Sequence, residues 1–77
     1  MTTAVILVNA EPGKDRKVAQ GLRKIKGVEG VFLVSGLYDL VAMVRGANSE
    51  EILKIVYDKI RPLGGVRSSH TMFCLEG

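Results

Sequence analysis

The hydrophobic residues of this chain show the same pattern of spacings in each half, and this repetition limits the possible folds more than any other feature. Each half contains an unbroken aliphatic run, then apolar residues at helical spacing, then a second run. The six segments are residues 3–9, 14–26, 28–35, 40–45, 48–63 and 66–76. Short continuous runs are typical of strands, whereas apolar residues three or four apart are typical of helices. The predicted order is therefore βαββαβ.

The two halves also align with each other, which supports two copies of one βαβ unit. At a constant offset of 35 residues, Val5 aligns with Leu40 and Ile25 with Ile60. Two right-handed βαβ units in series form a ferredoxin-like α+β sandwich, in which a four-stranded antiparallel sheet carries both helices on one face. We expect the first and third strands at the centre of the sheet, because neither contains an internal charge.

Each predicted helix has one apolar face, which we expect to pack on the sheet. The expected core positions are Val18, Leu22 and Ile25 on the first helix and Ile52, Val56, Ile60 and Leu63 on the second. Asn48 and Ser49 carry side-chain oxygens that can cap a helix and precede two acids, so they are expected to open the second helix. Leu53 and Tyr57 widen the apolar stripe of this helix, and covering the domain's own core is their expected use.

The length of 77 residues predicts a single domain, residues 1–77, with a small core. Such a chain buries only about 60 to 65% of its extended surface, and its core contributes about 3 to 5 kcal/mol. One cysteine, Cys74, excludes an intrachain disulfide, and one cysteine with one histidine excludes a tetrahedral zinc site. We expect no metal and no cofactor, so oligomerisation is the remaining source of stability.

The strands are apolar on both faces, although the helices can cover only one. In the first strand Val5 and Leu7 point away from Ile6, and the third strand alternates in the same way. An apolar sheet face without helices is either an aggregation hazard or a subunit interface. We therefore expect a homodimer in which the two sheets meet face to face.

The formal charge of +3 is concentrated in the first predicted helix, where residues 14–26 hold six bases and one acid. A basic helix face can neutralise phosphates. No aromatic residue for base stacking lies among these bases, however, and the segment lacks the two-helix pattern of a helix-turn-helix. A solvated helix face is the expected use of this charge.

No segment of the sequence resembles a targeting or membrane-spanning element. The N-terminus has no basic region before its apolar run, and no apolar stretch reaches the roughly 20 residues that cross a bilayer. We expect a cytoplasmic protein without membrane contact.

Polar residues cluster in the turn between the second and third strands and in the last strand, two places that this fold could bring together. They are Ser35, Gly36, Tyr38 and Asp39 in the turn and Arg67, Ser68, Ser69, His70 and Thr71 in the strand. A free amino acid needs a carboxylate for its ammonium group, N–H or hydroxyl donors for its own carboxylate, and an apolar wall. Residues of these types are Asp39, the backbone of Gly36, Ser69 with Thr71, and Leu33 or Met72. Ordinary turn and strand residues give the same pattern, so a binding site and a plain hairpin both stay open.

An enzyme hypothesis would rest on His70, the single histidine and the residue type that most often exchanges protons near neutral pH. No Ser–His–acid order, glycine-rich phosphate loop, paired cysteines or carboxylate cluster accompanies it in the sequence. Cys74 lies between Phe73 and Leu75 and is expected to be an unreactive core thiol. We therefore expect no enzymatic activity.

Several motifs resemble the effector-binding (RAM) domain of the leucine-responsive and AsnC-type (Lrp/AsnC) transcription regulators. They are VFLVSGLYDLVAMV at residues 31–44 with its G-x-Y-D hairpin, EPGK at 11–14, the I-x-G-V phrase at 25–28, and G-V-x-x-S-x-T at 65–71. The match covers essentially the whole chain. The resemblance implies the βαββαβ fold and sheet-mediated homodimers that assemble into tetramers or octamers. It also implies that an amino acid or similar small effector binds between dimers.

The resemblance also implies where this effector binds. The family's site is built from the turn between the second and third strands and from the last strand. Carried over by motif, the ligand-binding residues are Gly36, Tyr38, Asp39, Ser69 and Thr71, with Leu33, His70 and Met72 as candidate pocket wall.

Two features differ from the regulators of this family. Those regulators carry an N-terminal helix-turn-helix, whereas only two residues precede Thr3, so the chain resembles a stand-alone version for which we expect no direct DNA binding. Many members have Arg between the two hydroxyl residues of the last strand, where this chain has His70. The replacement would make ligand binding depend on pH.

Three hypotheses follow. The first is a self-assembling regulatory module that binds an amino acid. The second is a ligand-free assembly partner of a full-length DNA-binding relative. The third is a small dimeric α+β-barrel-type enzyme that uses His70, since other small dimeric ferredoxin-like domains include oxygenases and isomerases.

Overall fold

Four strands and two helices follow one another in the order βαββαβ, which confirms the predicted fold class. The elements of the computed structural model, which describes residues 1–76, are β1 (Thr2–Ala10), α1 (Asp15–Arg23), β2 (Val28–Leu33), β3 (Leu40–Gly46), α2 (Ser49–Ile55) with a π-helical turn that continues it (Val56–Ile60), and β4 (Val66–Phe73). Among residues 1–76, none of the helices combines the length and the hydrophobicity that a bilayer span requires.

The strands form one antiparallel sheet in the order β2-β3-β1-β4, so the first and third strands lie at its centre as predicted. Ile6 of β1 lies opposite Ala42 of β3 and Thr71 of β4, and the next residue, Leu7, lies opposite Val41 and His70. Directly opposed residues point to the same face of a sheet. The register therefore assigns every strand residue to either the helix-covered face or the open face.

The buried core lies between the helix-covered face and the two helices. Its strand residues are Ala4, Ile6, Val8 and Ala10 of β1, Val31 of β2, and Leu40, Ala42 and Val44 of β3. Its helix residues are Val18, Ala19 and Leu22 of α1 and Ile52, Val56 and Ile60 of α2 and the π turn. Ile25 and Leu63 are partly buried against this core. The expected helix faces are confirmed at the other five positions, whereas Ile25 and Leu63 lie beyond the ends of the helices and not on them as predicted.

Leu53 and Tyr57 do not cover the core, so their expected use was wrong. Both are exposed, Tyr57 by 59%. Each follows a core residue, Ile52 or Val56, by one position, and one residue of a helix corresponds to about 100° around the axis. That rotation turns both side chains to solvent, where the Tyr57 ring packs on the Arg61 guanidinium at 5.1 Å from the ring centroid.

Asn48, one of the two residues expected to cap α2, holds its N-terminus. Asn48 Oδ1 accepts a hydrogen bond from the Glu51 amide at 2.9 Å, and Glu51 Oε1 accepts one from the Ala47 amide at 3.1 Å. Together these bonds satisfy two amides that would otherwise lack partners at the start of the helix. The predicted start of this helix is therefore confirmed.

The two halves are related by a 34-residue offset up to the helices, and the constant offset of 35 was wrong. Buried Ile6 corresponds to buried Leu40, and buried Leu22 to buried Val56. The predicted pairing of Val5 with Leu40 joins residues on opposite faces of the sheet. A one-residue shift exchanges the two faces of a strand, which is why this small error matters.

After the helices the offset becomes 38 residues. Gly27 corresponds to Gly65, since both have positive φ and both carbonyls accept a backbone hydrogen bond, from Arg45 N and Glu11 N respectively. The second half is longer because the π turn extends its helix, and Arg61 N closes that turn by donating to the Val56 carbonyl at 2.8 Å. The second helix therefore has about one more turn than the first.

The open face of the sheet is apolar at its centre. Val5, Leu7, Val41 and Met43 are half-buried there by their neighbours in β1 and β3, with no helix of residues 1–76 above them. On the flanking strands, Phe32 of β2 is 58% exposed and Met72 of β4 is 50% exposed. Both sheet faces are therefore apolar, as the strand pattern predicts.

Cys74 is exposed, so the expectation of a core thiol was wrong. It follows the last residue of β4, which is an edge strand. Its amide donates to the Thr3 carbonyl at 2.9 Å, but the neighbouring side chains of Phe73 and Leu75 are also exposed. Apolar neighbours in sequence did not produce burial because the helices do not cover this end of the chain.

Candidate functional site

The turn between β2 and β3 brings Tyr38 and Asp39 beside the end of β1. The Val34 amide donates to the Asp39 carbonyl at 2.9 Å, and the Asp39 amide donates to the Val8 carbonyl at 3.0 Å. These bonds extend the sheet to Asp39, the residue that precedes β3. Gly36 turns the chain at φ +116°, a conformation that favours glycine. Since β4 pairs with the other edge of β1, the turn residues lie close to the last strand.

Asp39 is half-buried and has a structural role. Its Oδ2 accepts a hydrogen bond of 2.8 Å from the Ala10 amide, at the position where the pairing of β1 with β4 shifts register between Asn9 and Ala10. The carboxylate thus satisfies an amide that the irregular ladder leaves without a strand partner. No hydrogen bond from residues 1–76 reaches the other oxygen, Oδ1, which is the atom that a ligand can use.

Asp39 also lines a polar depression of about 390 Å³ together with Asn9, Arg67 and Ser68. Asn9 Nδ2 donates to Ser68 Oγ at 3.4 Å, a long and weak hydrogen bond. Within residues 1–76, no ion pair joins Asp39 to Arg67. The depression therefore presents one carboxylate and one guanidinium, a charge pattern complementary to a zwitterion.

Three residues of this depression were not among the predicted site residues. Arg67 and Ser68 belong to the polar group of the last strand, but the motif match pointed to their neighbours. Asn9 carried a usable signal, because it is the first polar residue after the aliphatic run of a central strand. Its position beside Asp39 depends on how β1, β3 and β4 pair, which a single sequence does not display.

Tyr38 and His70 are in contact, which joins the hairpin to the last strand as predicted. Their ring centroids lie 5.6 Å apart at 73°, an edge-to-face arrangement. His70 is opposite Leu7 on the open face, and Met72 is opposite Val5 on the same face. Three of the predicted residues are thus adjacent to the apolar centre of that face.

Ser69 and Thr71 lie on the other face of the sheet. They are opposite Val8 and Ile6, whose side chains are buried under the helices, and both are half-buried at the β4 edge. Leu33, opposite Leu40, also belongs to the helix-covered face, although its side chain is 45% exposed. One subunit therefore does not bring all the predicted residues to one ligand. Among residues 1–76, no group of three or more metal-ligating side chains is present.

The βαββαβ fold with a hairpin and last strand in contact agrees with a comparison to protein families. A family model described as the Lrp/AsnC ligand binding domain matches residues 3–77. The chain belongs to the Lrp/AsnC ligand-binding domain family. The resemblance carried by the motifs is thereby confirmed.

Named proteins agree with this assignment. This Lrp/AsnC domain is 45% identical over 74 residues to the HTH-type transcriptional regulator PH1916 of Pyrococcus horikoshii, covering 92% of this chain and 49% of that protein. The crystal structure of TTHA0845 from Thermus thermophilus matches with a TM-score of 0.93 and 30% identity, covering 100% of this chain and 96% of that one.

A more distant structure shares the fold. The transcriptional regulator NMB0573 from Neisseria meningitidis, solved as its L-Met complex, matches with a TM-score of 0.87 and 22% identity, over 97% of this chain and 50% of that one. The Lrp/AsnC domain described here spans about half the length of the curated relatives it matches.

Proposed function

We propose that residues 1–77 act as one regulatory domain that binds an amino acid or a similar small effector. The observation that carries the proposal is the polar depression, in which Asp39 and Arg67 lie near each other without pairing. A regulator with the same fold was solved with L-Met, which supports an amino acid as the effector class. Kinship with transcription regulators also supports a cytoplasmic, non-enzymatic role.

In this proposal the two charged groups bind the two ends of the zwitterion. Asp39 Oδ1 accepts hydrogen bonds from the ligand's ammonium group, while the Arg67 guanidinium binds the ligand's carboxylate. Gly36 contributes its backbone, and the Tyr38–His70 pair with Met72 forms the apolar wall nearest to this position. No metal or cofactor takes part.

Ser69 and Thr71 require a second subunit in this scheme, because they lie on the opposite side of the sheet. We propose that the effector binds between dimers, so that one subunit supplies Asp39 and a neighbour supplies the hydroxyl groups and Leu33. The site would then be complete only in a tetramer or larger assembly.

The open sheet face is the proposed dimer interface. Its centre is formed by Val5, Leu7, Val41 and Met43, and water would otherwise contact these aliphatic side chains. Val41→Asp should turn the dimer into a monomer in sedimentation velocity. Leu53→Asp, which places the same charge on the helix side, is the matched control and should leave the dimer intact. A dimeric Val41→Asp variant would contradict this interface.

The same open face favours a second candidate function, assembly with a full-length DNA-binding relative. Such relatives are about twice as long as this chain, and each contains a region similar to it. DNA binding would then come from the partner and not from this chain. Co-purification from the native host should recover a longer family member if this function is correct, and homo-oligomers alone if it is not.

A thermal-shift screen of the proteinogenic amino acids, with light scattering to record mass, tests the leading proposal. At least one amino acid should raise the midpoint of unfolding, and its N-acetyl derivative should not, since acetylation removes the ammonium charge that Asp39 binds. Asp39→Asn should abolish the shift, whereas Ser35→Ala in the same turn should keep it. If no amino acid raises the midpoint, or if the acetylated form works equally well, the proposal is wrong.

A further inference from the structure

A larger cavity, of about 730 Å³, lies at the opposite end of β1 and β3 from the polar depression. It is bounded by the turn after α1, the end of β3 and the exposed side of α2. Its volume falls in the range of about 300 to 1,000 Å³ that small-molecule sites occupy. The proposed effector site uses none of the residues that line this cavity.

The floor of this cavity is apolar and depends on a glycine. Ile25 and Ile55 line it, and both are partly buried against the main core. Gly27 also lines the cavity, at φ +100°. A Cβ atom on Gly27 would lie 2.8 Å from Ile55 Cδ1 and 3.2 Å from the Arg45 carbonyl oxygen. The bare backbone at this position therefore keeps the floor open.

The rim of the cavity has an excess of positive charge. Its two carboxylates belong to Glu29, which lies 3.8 Å from the Arg45 guanidinium, and to Glu51, which accepts the Ala47 amide at 3.1 Å and keeps its negative charge. Lys24, Lys26 and Lys59 also line the rim, and within residues 1–76 none of them forms an ion pair. Within residues 1–76, these three ammonium groups outnumber the one lining carboxylate outside an ion pair, that of Glu51.

We propose that this cavity binds a small organic anion with an apolar body. The three lysines would bind the carboxylate or phosphate group, and Ile25 and Ile55 would contact the hydrocarbon part. The two binding modes are complementary, because exposed ammonium groups attract an anion while the isoleucine floor favours an apolar chain. This site is independent of the proposed amino-acid site, which lies at the other end of the sheet.

Chemical-shift titration of the full chain with sodium hexanoate and, separately, hexyl phosphate tests this site. Either anion should give saturable shifts at the Gly27 and Gly46 amides and the Ile25 and Ile55 methyl groups, at concentrations of about 10 mM or less. Hexylamine has the same chain with the opposite charge and should give no such shifts. The two anions distinguish a carboxylate ligand from a phosphate ligand.

A double variant, Lys26→Gln with Lys59→Gln, should weaken binding of the anion about threefold to tenfold, since each exposed pair contributes modestly. The matched control, Lys17→Gln with Lys54→Gln, removes the same charge from exposed positions that do not line the cavity. The proposal is overturned if neither anion gives saturable shifts, if hexylamine binds equally well, or if the control weakens binding as much. Shifts at Asn9 and Asp39 instead would also overturn it, and would leave the amino-acid proposal untouched.

Discussion

Replacing Asp39 should reveal two separable roles of its carboxylate, one in stability and one in binding. In the structure Oδ2 accepts the Ala10 amide at 2.8 Å, and the Ala10 residue is only 7% exposed. Asp39→Ala would leave that amide without its acceptor. The loss of a hydrogen bond to a charged group, with a buried partner left unsatisfied, costs about 1 to 3 kcal/mol. We expect the free energy of unfolding to fall by this amount.

Asp39→Asn is the informative companion variant. Its side-chain oxygen can still accept from the Ala10 amide, so we expect a loss of about 1 kcal/mol or less. The charge that would bind a ligand's ammonium group is removed in both variants. For this reason Asp39→Asn, and not Asp39→Ala, isolates the binding role.

Urea unfolding of the wild type and both variants, at one fixed protomer concentration, measures these differences. A fixed concentration is needed because self-association changes apparent stability. For a domain of this size, each 1 kcal/mol should also lower the midpoint of thermal unfolding by about 4 to 8 °C. If Asp39→Ala stays within about 0.5 kcal/mol of the wild type, or if Asp39→Asn loses as much as Asp39→Ala, the reasoning is refuted.

Three further predictions concern stability and share the same urea assay. Ile6→Ala should lower the free energy of unfolding by about 2 to 5 kcal/mol because the Ile6 side chain is fully buried. Leu37→Ala at the exposed turn should lower it by less than about 0.5 kcal/mol. Similar losses of stability in the two variants would contradict the core assignment. Asn48→Ala should cost about 1 kcal/mol through the lost N-cap bond to Glu51, and an unchanged midpoint would refute that cap. Gly65→Ala should be clearly destabilising, since φ is +97° and a Cβ would lie 2.8 Å from Val18 Cγ2. Gly64→Ala is the control and should not be destabilising, because its Cβ would meet no atom within 4 Å. Equal effects of the two substitutions would refute the close approach at Gly65.

The fold could be predicted because local patterns and global topology agree. Asn48 marks the start of α2 through a cap that depends on nearby residues alone. Alternation separates Ile6 from Val5 and Leu7, although it does not show which set lies under the helices, and charge-free strands indicate the centre of the sheet. Each of these signals depends on short-range chemistry that the sequence displays directly.

Other features depend on distant contacts and could not be predicted. The π turn at Val56–Ile60 lengthens the second helix, and no residue type in that segment marks it. Cys74 is exposed because the helices stop short of the end of β4, which its apolar neighbours in sequence do not reveal. The depression around Asp39 depends on a shift in pairing between Asn9 and Ala10. Sequence motifs therefore pointed to the hairpin and the last strand, whereas the position of Asn9 beside Asp39 follows only from how the strands pair.

Equilibrium dialysis of the wild type and Asp39→Asn against each proteinogenic amino acid tests the proposed effector site. The claim is that the hairpin carboxylate and the last strand bind an amino acid. It predicts that at least one amino acid binds the wild type saturably and that Asp39→Asn, folded and of unchanged mass, binds it at least about tenfold more weakly, as the loss of a charged hydrogen bond implies. Equal binding by the two proteins, or no binding of any amino acid by the wild type, would contradict it.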